Sequence, residues 1–65
     1  MQQISLAYLV KFSQNEIQSF APVDLLLASN ATAAEIANAI RTVMTQGFGV
    51  GFHIQEVYLV KSVLV

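Results

Sequence analysis

At 65 residues, 55% of them hydrophobic and 11% charged, the chain has the length of one small domain (1–65), and it is charge-poor beside the roughly 25% of ordinary soluble domains. It carries no Cys and one His, which excludes disulfides and thiolate metal sites and leaves a zinc site only scattered carboxylates, so no metal or cofactor is expected. The net charge of −1, with Lys11, Arg41 and Lys61 as the basic residues, cannot neutralise a phosphate track and argues against a nucleic-acid partner.

Taken in order, residues 3–12 alternate: Ile4, Leu6, Tyr8, Val10 and Phe12 fall on one side, Ser5, Ala7, Leu9 and Lys11 on the other. That period predicts a half-buried strand. Ser13-Gln14-Asn15-Glu16 supplies polar turn chemistry and Ile17 resumes apolar character, so a hairpin follows, its turn type left open because no Asn-Gly pair is present. Residues 17–28 admit two readings. Pro22 confines a strand here to an edge or a bulge, or else opens a short helix through Ala28; the strand is favoured, because the polar turn sets up a return strand.

The most specific local motif is Thr32-Ala33-Ala34-Glu35, a capping box in which hydroxyl and carboxylate satisfy each other's free backbone donors. Ile36, Ala39, Ile40, Val43 and Met44 then recur at helical spacing as one apolar stripe, and Gly47 is placed to end the helix. The glycines of Gly47-Phe48-Gly49-Val50-Gly51-Phe52 follow a helix, whereas a phosphate loop precedes one. This segment is expected to serve, at least in part, as a connector.

Residues 57–65, Val-Tyr-Leu-Val-Lys-Ser-Val-Leu-Val, carry apolar side chains on both parities, and the remainder of the chain is expected to be built around them. In an unbroken strand from 53 to 65, Ile54, Tyr58, Val60 and Leu64 point one way and Val57, Leu59, Val63 and Val65 the other. One face then meets the helix. The other is expected to be an interface, with Leu9, Val57, Leu59, Lys61, Val63 and Val65 as its candidate residues, the edge strand 17–28 being the alternative binding surface.

Two strands, a Thr-capped helix opening at Thr32-Ala33-Ala34-Glu35-Ile36 and a last strand resemble the first part of a ubiquitin-like β-grasp domain. The chain has no room for that fold's extra strands and no Gly-Gly tail, so the resemblance implies no functional residues. Half of a ferredoxin-like domain, completed by dimerisation, fits the same order. The expected fold is α+β, ββαβ, a small, mainly antiparallel sheet on one helix, completed by a second copy.

A domain of this size buries only roughly 60% of the surface its unfolded chain exposes, and small domains usually add a staple. With disulfides and metals excluded, self-association is left. His53 has no Cys partner, and no serine sits in an elbow motif, so no catalytic residue is assigned and the protein is read as no enzyme. No apolar run reaches the roughly 18–20 residues that cross a bilayer, and Met1-Gln2-Gln3 lacks a signal peptide's basic segment. The expectation is therefore a cytoplasmic protein-interaction module, a small adaptor or inhibitor acting as a homodimer, without a membrane or nucleic-acid partner. Its competitors are a purely structural self-assembling subunit and a small-ligand binder or enzyme using His53.

Overall fold

The computed structural model describes residues 2–65. Four elements follow one another: β1 (Gln3–Gln14), β2 (Ile17–Ala28), α1 (Ala33–Phe48) and β3 (Phe52–Leu64). They form a three-stranded antiparallel sheet of order β2-β1-β3 with the helix packed on it, the small α+β fold expected. Because β2 and β3 both run antiparallel to β1, they are parallel to each other. The helix is thus the crossover of a β-α-β unit split by β1.

The hairpin closes on Gln14↔Ile17, with Asn15 at φ 53° and Glu16 at φ 66°. Two positive central φ values make a type I′ turn, whose twist matches that of the flanking strands. Asn tolerates that conformation and Glu adopts it at a cost. β2 is the strand reading of residues 17–28, and it is an edge strand, so Pro22 has no second ladder to supply.

Thr32 caps α1 as its sequence predicts. Its hydroxyl oxygen accepts from the Glu35 amide at 3.2 Å, and the Glu35 carboxylate accepts from the Thr32 amide at 3.2 Å. The helix runs past Gly47 and ends after Phe48; Gly49, at φ 74°, donates its amide to the Thr45 carbonyl at 2.8 Å. Gly49, not Gly47, therefore ends the helix, because the positive φ that turns the chain away falls there. The helix C-terminus is pinned to the sheet by Gln14 Nε2, which donates to the Phe48 carbonyl at 2.8 Å, and by Phe48 against Phe12 at 4.7 Å between ring centres.

The core is Leu6, Val10 and Phe12 of β1, Ala21, Val23 and Leu25 of β2, and Ile40 and Met44 of α1. These are the inward parities of the hairpin and the helical stripe. From β3 only Phe52 and Ile54 join it, each half-buried. Simple dimensions explain the omission. A helix of 16 residues is about 24 Å long and about 10 Å wide, whereas three strands about 4.8 Å apart and 12 or 13 residues long make a sheet about 40 Å tall. One helix shields little more than one strand pair, and it lies over β2 and β1.

Two sequence expectations about the last strand are corrected here. It is not the strand around which the others are arranged: β1 is central and β3 is an edge. The hairpin turn places β2 beside β1, and the crossover brings β3 to the side still free.

Nor does β3 alternate without interruption. The register shifts twice, from Ala7↔Lys61 to Tyr8↔Leu59 and from Lys11↔Glu56 to Phe12↔Ile54, which leaves Val60 and Gln55 as extra, bulged residues. Each bulge resets the facing. Val57 and Leu59 lie opposite Val10 and Tyr8 on the helix side, while Tyr58, Lys61 and Val63 lie opposite Leu9, Ala7 and Ser5 on the open side. The expected single face holding Val57, Leu59 and Val63 together is therefore split.

Candidate interaction surface

Among the described residues nothing covers the sheet face away from the helix, and its side chains follow from the register as cross-strand rows. Phe20, Lys11 and Glu56 form one row, then Pro22, Leu9 and Tyr58, then Asp24, Ala7 and Lys61, then Leu26, Ser5 and Val63. Phe20 is 59% exposed and Leu26 56%, with Tyr58 and Val63 also exposed and Leu9 half-buried between them. Charge is sparse and arranged. Lys11 sits directly opposite Glu56, and Asp24 and Lys61 flank Ala7. Directly opposed opposite charges, as Lys11 and Glu56 are, contribute roughly 0.2–1 kcal/mol, whereas Asp24 and Lys61 are held apart by the width of β1.

A second uncovered surface runs along β3 on the helix side, where Val57, Leu59 and Leu64 continue the core outward past the reach of α1. Among the described residues the outer backbone edge of the same strand has no strand partner. β3 is thus open on one edge and exposed along both faces beyond Ile54.

The candidate residues named from the sequence fall as follows. Leu9, Lys61 and Val63 share the open face; Val57 and Leu59 are on the helix side; Val65 follows the strand, its amide donating to the Gln3 carbonyl at 2.9 Å. Sequence reasoning missed Phe20, Leu26 and Tyr58 on the open face. The signal was available for β2, because once Pro22 is placed in a strand its even positions Phe20 and Leu26 must face away from Ala21, Val23 and Leu25. For Tyr58 it was not, since the bulges that turn it over leave no mark in composition.

No family model, curated protein or solved structure matches the chain. The functional reading therefore rests on the molecule's own chemistry. His53 is exposed on the open face opposite Ser13. Among the described residues no three His, Cys, Asp or Glu side chains gather as a metal site, and no helix is long and apolar enough to cross a membrane. An open depression of about 200 Å³ lies by the helix C-terminus, lined by Arg41, Thr45, Val50, Gly51 and Phe52. It is smaller than the roughly 300–1,000 Å³ of ordinary ligand clefts.

Proposed function

We propose that this chain is a non-enzymatic protein-interaction module of the cytoplasm, a small adaptor or inhibitor that acts as a homodimer through apolar sheet surface. One observation carries the reading. A helix wide enough for two strands sits on a sheet of three, so apolar side chains of β3 and of the whole open face stand in water. Contiguous surface of this kind marks an interaction site when it exceeds what scattered exposed residues produce. Phe20, Pro22, Leu9 and Tyr58 fall in two neighbouring rows of one sheet face, and Leu26 and Val63 lie on the same face beyond the row of Asp24, Ala7 and Lys61.

The test pairs mass with capture. Light scattering at micromolar concentration is expected to give twice the monomer mass. Immobilised wild-type chain is expected to retain one defined protein that the Phe20→Lys, Leu26→Lys double variant loses, with its own mass unchanged. A dimer that retains nothing sensitive to Phe20 and Leu26 would leave the structural-subunit reading, which the exposed β3 edge favours. A monomer at these concentrations would remove the homodimer.

A further inference from the structure

We propose that two copies join edge to edge through β3, antiparallel about a two-fold axis at Tyr58, to give one six-stranded sheet of order β2-β1-β3-β3-β1-β2. The inference rests on the self-association reading above and goes further by fixing the surface, the register and the symmetry.

The choice of edge comes from what each edge carries. β2 has Pro22, which removes a backbone donor and so discourages strand addition. β3 offers 13 residues without proline, with Glu56 and Lys61 as its two acidic and basic side chains and with Val57, Tyr58, Leu59, Val60, Val63 and Leu64 exposed. An apolar edge of that length is a template for another strand.

The register comes from the bulges and the charges together. With Tyr58 opposite the partner's Tyr58, Val57 meets the partner's Leu59, and both lie on the helix side. Past the partner's bulged Val60, Glu56 meets the partner's Lys61. Past the bulged Gln55 of the first strand, Ile54 meets the partner's Ser62, His53 the partner's Val63 and Phe52 the partner's Leu64. Every pair joins residues that the β1 ladder places on the same face of the sheet. One bulge on each strand in each half cancels the offset of the other.

No nearby register does this. A slip of one residue sets helix-side positions against open-face positions, and a slip of two parts Glu56 from the partner's Lys61. In the aligned pair each Glu56 lies between Lys11 of its own chain and the partner's Lys61, so acid and base complement each other twice about the axis. The open-face rows then run unbroken through the dimer, from Pro22, Leu9 and Tyr58 into the partner's Tyr58, Leu9 and Pro22. Association thereby doubles the apolar face left for another protein.

Because the chain has no Cys, a single introduced thiol reports the axis directly. Directly opposed antiparallel residues have Cα atoms about 4.5–5.5 Å apart, within disulfide reach. Tyr58→Cys under mild oxidation is expected to convert almost completely to covalent dimer, while Glu16→Cys on the distant hairpin turn stays largely unlinked. Glu56→Lys is expected to weaken association about tenfold through loss of both symmetric pairs, and adding Lys61→Glu is expected to restore it. Should Tyr58→Cys fail to fold, a mixture of Val57→Cys and Leu59→Cys chains is expected to link as heterodimers faster than either alone.

A dimeric wild-type mass with thiols at 57, 58 and 59 linking no faster than the Glu16→Cys control would overturn edge pairing and leave self-association standing. A monomeric wild-type mass up to high micromolar concentration would overturn both.

Discussion

The hairpin with its helix and the last strand are equally apolar in sequence but are treated in opposite ways by the fold. In β2, Leu25 is 7% exposed and its neighbour Leu26 is 56% exposed, a clean division into a dry side and a wet side. In β3 no such division exists: Val57 and Leu59 on the helix side are exposed, and so are Tyr58 and Val63 on the other. The difference lies in position. β2 and β1 share the one helix, and β3 takes the edge that helix does not reach. Hydrophobicity drove both segments into a sheet, and the width of a single helix decided which of them became core.

The largest effect expected from this contrast sets Met44→Ala against Leu59→Ala. Met44 is 1% exposed beneath the helix, and its truncation is expected to cost about 2–5 kcal/mol by loss of contacts and creation of a cavity, enough to unfold so small a domain. Leu59→Ala is expected to leave the unfolding of the dilute, dissociated chain within about 0.5 kcal/mol of wild type. Urea denaturation at low protein concentration checks both; a Leu59→Ala loss as large as that of Met44→Ala would place β3 in the core and dissolve the comparison.

Next in size is the helix cap. Thr32→Ala removes the acceptor for the Glu35 amide and half of a reciprocal pair, with an expected loss of about 1 kcal/mol. That loss should appear in the unfolding midpoint while assembly by light scattering stays unchanged at folded concentrations, because the cap belongs to the covered half of the molecule. A change in mass without a change in stability would contradict the assignment.

The smallest expected effect is a gain. Gly47 lies inside the helix, and a Cβ built on it meets nothing within 4 Å. Gly47→Ala should therefore stabilise the folded chain by about 0.5–1 kcal/mol through helix propensity. The urea midpoint would rise. A fall would mean that the helix needs to end at Gly47 after all.

Local signals were legible from single residues because the physics behind them is local. Alternation from Ile4 to Phe12, the capping box at Thr32 and Glu35, and the Ile36–Met44 stripe each specify an element through neighbours a few residues away, and each element is present. Pro22 confined a strand at 17–28 to an edge or a bulge for the same reason: a missing N–H is a property of one position. The candidate surface was only half legible. Leu9, Lys61 and Val63 lie on the open face and Val57 and Leu59 on the helix side, because facing along β3 depends on where β1 makes it bulge.

The sequence by itself determined that there would be a first alternating strand, a Thr-capped amphipathic helix and a final apolar strand, and it favoured a hairpin over a short helix at 17–28, since dihedral preference, capping and hydrophobic period act within one turn or one strand. Only the tertiary structure decided that β1 is central, that Val60 and Gln55 are stepped out of register, and that β3 is left at an edge. Those outcomes depend on how one helix, about two strands wide, settles on three strands, and no single segment of the chain contains that information.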